Sequence, residues 1–325
     1  MTPEDIEMIR QVLPEDAAFP YYPDRESPWL LAQGIGAAAR VAELKAGPRA
    51  ALLGRPLVKP VVAASGGVVR QADLLAVAHA DRALRLPDAG AGARAALEQV
   101  FAGPWQDYRV TLAAWGTGDV CWHYSQMSRK GGNLVLQLGF PSDHAVILGQ
   151  LRQRVKRSDY EYTGHPVRRT GRPTLAWVRL DIDLETGTAL IEEVQSDWVR
   201  WVAEDADYLT RTTPQTREAK NVRAYAAELS RTYAKAWPTV ALFAALVMLV
   251  DELGVRTIWM HQPAAGAVLK DICGTHPPRS LYTQLPKRFG FCPVREAPPF
   301  LLRPRRTALA RIGHFKSPLF WKLSL

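Results

Sequence analysis

The spacing of hydrophobic residues changes about one third of the way along the chain. In residues 1–105 it favours helices, beginning at Thr2-Pro3-Glu4-Asp5, where threonine can cap a helix and proline fits its first turn. From about residue 106, apolar and polar residues alternate in short runs, which is typical of β-strands. The pattern predicts a helical N-terminal region, residues 1–105, followed by an α/β (α+β) domain with a mixed sheet, residues 106–292.

The clearest local pattern is a predicted β-hairpin. Residues alternate strictly between apolar and polar from Thr174 to Glu185, Thr186-Gly187 forms the turn, and Thr188–Asp197 returns as the second strand. A nearly all-apolar segment from Trp237 to Leu253 then predicts a core helix, followed by a buried strand at Val255–His261.

The second strand of the hairpin carries the candidate chemistry. A period of two places three polar residues on one face: Glu193, Gln195 and Asp197. The same period places Ile191 on that face and Glu192 on the other. Carboxyl and amide groups are costly to bury unless they are paired, so these groups are candidates for acid–base catalysis or substrate binding. The alternative is a structural ion pair in which Arg179, across the hairpin, neutralises one carboxylate.

Composition narrows the class of protein. The chain has 325 residues, of which 47% are hydrophobic and 22% charged, close to the globular average, which argues against global disorder, collagen and coiled coil. Three cysteines exclude a disulfide scaffold and fit a reducing compartment. The first residues lack a secretory pattern, and the most apolar run, residues 241–250, is too short to span a bilayer. We therefore expect a soluble, cytoplasmic protein with no membrane partner.

The positive charge is concentrated at the C-terminus. The formal net charge is +9, and residues 286–325 contain nine basic residues against one acid, Glu296. With its interleaved aromatic residues, the basic tail, residues 293–325, is a candidate to bind nucleic acid or an acidic partner. The residues expected to do so are Arg303, Arg305, Arg306, Arg311 and Lys316. The alternatives are a solvated tail and one that packs back through Phe315–Trp321.

The run Ile191–Trp198 reads IEEVQSDW, which resembles the EEIQSDW signature of a domain found in large polyvalent proteins of phages and prophages. Gly254–Trp259 and the Tyr282, Leu285-Pro286-Lys287 element follow in the order that the family shows. The resemblance covers about residues 130–292. It implies a phage-related protein and a fold, and it assigns no settled activity.

A looser resemblance is to the C-terminal half of GNAT acyltransferases, with their long helix, strand and Y-x-K-x-GF ending. It implies a GNAT-like mixed sheet and a transferase in which Glu193, or Glu192, is the general base and Tyr282 the general acid. Asp197 joins them as a catalytic candidate, and acyl-CoA is the implied cofactor. However, Trp198–Trp237 contains no glycine, so the usual CoA pyrophosphate loop is missing and the cofactor stays open.

Several other polar residues are candidates for substrate binding. They are Glu192, Gln195, Trp198, His123, His165, Arg179 and His261. The spacings around Cys121, Cys273 and Cys292 match no familiar zinc module, so no metal site is predicted. A Cys–His nucleophile pair, using Cys121 or Cys273, remains open. Neither a P-loop nor a G-x-S-x-G motif occurs in the sequence. The substrate and the oligomeric state are not indicated.

Overall fold

The computed structural model describes residues 1–81, 105–116, 126–152, 159–168, 171–272, 279–302 and 306–325. The chain divides into two units. The first comprises Met1–Phe19, Asp107–Leu285 and Pro293–Lys322. The second comprises Pro20–Gln106, Pro286–Cys292 and Leu323–Leu325.

Helices and strands alternate along the chain. The α-helices that the structure describes are α1 (Pro3–Val12), α2 (Glu26–Gln33), α3 (Val41–Ala46), α4 (Val58–Ala64), α5 (Gln71–Ala78), α6 (His144–Arg152), α7 (Asp197–Thr212), α8 (Arg217–Leu229), α9 (Trp237–Val247), α10 (Pro263–Leu269), α11 (Arg279–Arg288) and α12 (Arg306–Gly313). The described strands are β1 (Asp16–Tyr21), β2 (Ala38–Arg40), β3 (Val68–Arg70), β4 (Gln106–Trp115), β5 (Asn133–Gly139), β6 (Thr174–Asp183), β7 (Thr188–Gln195), β8 (Thr257–His261), β9 (Cys292–Val294) and β10 (Phe320–Ser324).

A mixed sheet of eight strands, in the order β1-β4-β5-β6-β7-β8-β10-β9, confirms the α/β class. Strands β4 to β7 pair antiparallel, and β6 with β7 is the predicted hairpin. Strand β8 runs parallel to β7. A parallel pair needs a long crossover, which α7, α8 and α9 supply here.

Helix α9 is the predicted core helix. It packs against β6 and β7, and most of its side chains are buried. The helical segment Arg217–Glu252 that contains it is long and apolar enough to span a membrane by length and composition alone. Because 72% of its apolar window is buried within the protein, the segment has the character of a core helix in a soluble protein.

The N-terminal region contains strands as well as the predicted helices. Strand β1 lies at one end of the large sheet, and β2 pairs antiparallel with β3 through Ala39 and Val69. The sequence concealed β1 because Asp16–Tyr21 contains Pro20, which cannot donate to a neighbouring strand and is tolerated only at a sheet edge. Strands of three residues, such as β2 and β3, are too short to show a period.

Two ion pairs in the second unit neutralise buried carboxylates. Arg288 donates to the buried carboxylate of Glu26, with Nη2 2.5 Å from Oε1. Arg25 lies 2.9 Å from Asp81, and both side chains are nearly inaccessible. Each carboxylate is therefore neutralised where it is removed from water.

The end of the predicted tail belongs to the sheet. Strand β10 lies between β8 and β9, with Phe320 and Trp321 buried. The indole Nε1 of Trp321 donates to the carbonyl oxygen of Tyr282 at 2.8 Å. The sequence left open whether this segment is solvated or packs back onto the domain, and residues 320–324 pack back onto it.

Candidate functional site

The register of the hairpin slips by one residue at Glu192. Arg179 pairs with Glu193, and its neighbour Leu180 pairs with Ile191, so Glu192 is the extra residue of a β-bulge. Arg179 and Leu180 are consecutive residues of β6 and point to opposite faces of the sheet. Their partners, Glu193 and Ile191, therefore point to opposite faces as well. The prediction that Ile191 shares a face with Glu193 is wrong, because strict alternation does not survive a bulge.

The bulge also brings the two glutamates together. Glu192 contacts Ser128, and Glu193 contacts Arg179, whose guanidinium donates to the carbonyl oxygen of Gln126 at 3.0 Å. Residues 126–128 are therefore linked to both carboxylates, directly to Glu192 and through Arg179 to Glu193. The prediction that Glu192 points away from Glu193 is wrong for the same reason.

Glu192 is the centre of a closed cluster, which we define as Glu192, Ser128, His261 and Lys270. The carboxylate accepts from the Ser128 backbone N–H at 2.9 Å and from the Ser128 hydroxyl at 2.8 Å. His261 Nε2 lies 3.1 Å from the same carboxylate, and Lys270 Nζ donates to the Glu192 carbonyl oxygen at 3.0 Å. All four side chains are buried.

These contacts set the charge of the closed cluster. Burial acts to raise the pKa of Glu192, but the hydrogen bond from His261 and the positive charges of Lys270 and Arg179 outweigh it and hold that pKa well below its usual range. Burial lowers the pKa of His261 despite its carboxylate partner, so the imidazole is neutral near pH 7. The cluster thus holds an ionised carboxylate without access to solvent.

Glu193 forms the structural ion pair that the sequence left as an alternative. Its carboxylate accepts from Arg179 Nη2, and Lys270 Nζ lies 3.9 Å from the same oxygen. Burial acts to raise the pKa of Glu193, and the charges of Lys270 and Arg179 lower it overall. The Glu193 side chain is 16% exposed, whereas the Arg179 side chain has no exposed surface.

Side chains replace backbone partners where β7 and β8 separate. Their register ends at Ile191 and Met260 among the described residues. Beyond it, the Val194 N–H donates to the Tyr282 hydroxyl at 3.2 Å. Burial raises the pKa of Tyr282, so the phenol stays protonated. Tyr282 therefore lies inside the protein as a partner of the strand.

At the end of β7, Asp197 and His165 form a second arrangement, which we call the open dyad. His165 Nδ1 lies 2.8 Å from an Asp197 oxygen, which also accepts from the Trp177 indole at 3.1 Å. The other Asp197 oxygen accepts from Gln195 at 2.6 Å and from Arg200 at 2.9 Å. Burial acts to raise the pKa of Asp197, and its hydrogen bonds, led by that from His165, lower it overall.

Local sequence explains where Asp197 stands. Ser196 caps helix α7 by accepting from the Val199 N–H at 3.1 Å, and Asp197 is the first residue of that helix. A carboxylate is favoured there because it faces the positive end of the helix dipole. The capped helix therefore fixes the carboxylate that orients His165.

Aromatic rings surround the open dyad. The His165 ring centroid lies 4.7 Å from Tyr162, 5.4 Å from Trp177 and 6.3 Å from Trp115. The His165 side chain is 18% exposed, and its Nε2 has no hydrogen-bond partner in the part of the chain that the structure describes. An imidazole held at Nδ1 with Nε2 unpartnered can accept a proton from a bound molecule.

Trp198 lies apart from these residues. It is buried, and its Nε1 donates to the Tyr225 hydroxyl at 2.7 Å. The ring packs edge-on against Phe140, with the centroids 5.3 Å apart. Trp198 is therefore a core residue of α7 that packs against Phe140 and Tyr225.

The remaining predicted residues fall in two groups. His123, Arg303 and Arg305, together with Cys121 and Cys273, lie outside the described residues, as does the side chain of Arg306. Arg311 and Lys316 are exposed, and Arg311 lies 3.4 Å from Asp271. Among the described residues, no group of three or more His, Cys, Asp or Glu side chains could hold a metal ion.

Two members of the closed cluster, Ser128 and Lys270, were not predicted from the sequence. Ser128 is 64 residues from Glu192 along the chain, and Lys270 is 78 residues from it. Both residues reach Glu192 through the tertiary fold, Ser128 from the segment before β5 and Lys270 from the end of α10.

A scan against protein-family models finds no match, and searches of curated proteins and of solved structures find none either. The function must therefore be argued from the geometry of β7 and its surroundings.

Proposed function

We propose that the protein is an enzyme in which His165 acts as a general base at the end of strand β7. One observation carries the proposal: Asp197 holds Nδ1 of a partly exposed imidazole at 2.8 Å, and Nε2 has no partner in the described part of the chain. The carboxylate fixes the ring orientation and stabilises the imidazolium that forms when Nε2 accepts a proton.

The same contacts favour His165 over Glu193 as the base. A general base works best when its pKa lies near the working pH, and the cations around Glu193 lower its pKa. Tyr282, the acid that the GNAT resemblance implies, is buried and accepts from the backbone of β7. In this proposal Glu193 and Tyr282 hold the site together, and His165 carries the proton.

The reaction that we propose is acyl transfer on a GNAT-like fold. The motif strand, the long helical crossover and the next strand, β8, follow in the order that the resemblance implies. His165 Nε2 takes the proton from an O–H or N–H group of the acceptor molecule. At the same time, the oxygen or nitrogen of that group bonds to the acyl carbon of a thioester. The imidazolium then returns the proton to the departing thiolate.

The acyl carrier stays open in this proposal. Helices α7 and α8, capped by Ser196 and Thr216, occupy the segment where a glycine-rich phosphate loop would be needed. Free backbone N–H groups of such a loop would cradle a CoA pyrophosphate, and helical residues beyond the first turn lack them. The proposal therefore requires a thioester but no particular carrier.

The test measures thiol release from a panel of acyl thioesters mixed with candidate acceptor molecules. Mass spectrometry of molecules that co-purify with the protein guides the choice of thioesters and acceptors. His165→Gln is expected to reduce the rate by about 10²–10⁴-fold, the usual contribution of a general base. His314→Gln, at an exposed histidine, is the matched control and is expected to retain the rate. An unchanged rate in His165→Gln would place the base elsewhere.

Binding of nucleic acid or of an acidic partner through the basic tail stays a prediction, as does a relation to phage proteins. Removing the tail is a poor test, because β10 is a strand of the sheet. The double variant Arg311→Gln/Lys316→Gln changes only exposed side chains. If the tail binds phosphates, this variant is expected to have a lower affinity for nucleic acid. The slope of that affinity against salt concentration is expected to fall by the contribution of about two phosphate contacts.

A further inference from the structure

The guanidinium of Arg179 has hydrogen-bonding capacity that the residues described by the structure do not use. Its Nη2 donates to Glu193 and to the Gln126 carbonyl oxygen. Its Nε and Nη1 are buried and have no hydrogen-bond partner within the described residues. Burying the N–H groups of a cation without an acceptor is unfavourable, so such groups usually have an acceptor from the protein, from water or from a ligand.

Aromatic rings satisfy Arg179 only in part. Its guanidinium carbon lies 5.0 Å from the centroid of Trp115 and 5.9 Å from that of Trp177. Ring faces attract a cation, but less strongly than an ionised oxygen that accepts its hydrogen bonds. His165 packs against the same two rings, so Arg179 and His165 share one pair of indole neighbours.

The local charges also leave Arg179 short of negative partners. The Glu193 oxygen that it contacts lies 3.9 Å from Lys270 Nζ, so one carboxylate serves two cations. Glu192, the next carboxylate, accepts from Ser128 and His261. An additional anionic oxygen beside Arg179 would therefore be favoured electrostatically.

We propose that Arg179 binds an anionic oxygen of the substrate, from a carboxylate or a phosphate group, through Nε and Nη1. The substrate would approach from the side of Glu193 and His165, whose side chains are 16% and 18% exposed. The role that we assign to this anion rests on the proposed function, because the bound anion would orient the substrate toward His165. Anion binding itself needs no turnover and is measured separately.

The experiment compares thermal unfolding in sodium acetate, inorganic phosphate and sodium chloride at matched ionic strength. Wild-type protein is expected to show a saturable rise in Tm with acetate, phosphate or both, and the more effective probe identifies the group. Because removing Arg179 alone takes from Glu193 its hydrogen-bonded partner and leaves only Lys270 at 3.9 Å, the test variant is Arg179→Met/Glu193→Gln. It is expected to bind the effective anion at least about tenfold more weakly.

Three controls make the result decisive. Glu193→Gln retains the guanidinium without its competing carboxylate and is expected to bind the anion more tightly than wild type. Arg231→Gln, at an exposed ion pair, is expected to behave as wild type. His165→Ala is expected to keep anion binding even if the proposed catalysis fails. Equal binding by Glu193→Gln and Arg179→Met/Glu193→Gln, or no saturable response to either anion in Glu193→Gln, would overturn the proposal.

Discussion

Two carboxylates five residues apart, Glu192 in strand β7 and Asp197 at the start of helix α7, have opposite surroundings. Glu192 lies in the closed cluster, where Ser128, His261 and Lys270 occupy its polar atoms and solvent is excluded. Asp197 lies in the open dyad, where it holds one nitrogen of a partly exposed histidine. Both carboxylates are ionised, and both contact an imidazole.

The difference lies in the far side of each histidine. His261 is buried, and its Nδ1 has no partner among the described residues. The His165 ring is partly exposed, and its Nε2 has no hydrogen-bond partner among the described residues. A carboxylate–histidine pair is therefore not by itself evidence of catalysis. We expect the closed cluster to contribute mainly to stability and the open dyad mainly to activity.

The largest expected effect is that of Glu192→Ala on stability. Removing this carboxylate leaves Ser128 and His261 without their buried partner and takes a negative charge away from Lys270, so it should lower the free energy of unfolding by about 3–5 kcal/mol. Urea unfolding measures this change. Glu192→Gln, which keeps the size and can keep hydrogen bonds, should lose clearly less. A loss below about 1 kcal/mol for the alanine variant would show that the cluster is not structural.

The next effect is on the pH dependence of stability. Burial lowers the pKa of His144 from 6.5 to about 4 in the folded protein, so the unfolded chain takes up the proton first. Stability is present above pH 6.5 and is lost as the pH falls toward 4, by about 3 kcal/mol for this group. His261, whose pKa burial also lowers, adds a loss of the same sign.

Unfolding measured between pH 7 and pH 4, with one histidine replaced at a time, gives the contribution of each histidine to the acid-induced loss of stability. His261→Gln is expected to reduce the acid-induced loss, and His144→Gln is expected to reduce it as well. If His261→Gln leaves the slope unchanged, the His261 imidazole is solvated, and the contrast between the closed cluster and the open dyad fails.

Asp197→Asn should have a smaller effect on stability and a specific one on His165. The variant weakens hydrogen bonds to a charged acceptor, which corresponds to about 2 kcal/mol. It should also release the preference of His165 for a proton on Nδ1, which ¹⁵N NMR of the imidazole detects. Arg200→Gln, whose partner is the same carboxylate, is the control and should leave the tautomer unchanged.

The smallest expected effect is that of Tyr282→Phe. The variant leaves the buried Val194 N–H without its acceptor, so the free energy of unfolding should fall by about 1 kcal/mol. Thiol release should change little. If the rate instead falls more than about 100-fold at unchanged stability, Tyr282 has the acid role that the GNAT resemblance implies.

The sequence showed the hairpin β6–β7 and the core helix α9 because each carries a continuous pattern of period two or an unbroken apolar run. It also placed Arg179 across the hairpin from the candidate carboxylates, without showing that its partner is Glu193. It did not show the closed cluster, since Ser128 and Glu192 meet only through the pairing of distant strands. Nor did it show that His165 contacts Asp197, because a lone histidine in a turn-rich segment has no periodic signal.

The single extra residue at Glu192 shifts the phase of strand β7. Residues before it follow one alternation of inward and outward positions, and residues after it follow the opposite one. Deleting Glu192 would leave one uninterrupted alternation, with Ile191 and Glu193 still on the faces that their partners in β6 set. A one-residue gap elsewhere in the motif would instead exchange the faces on one side of it and change which side chains reach the open dyad.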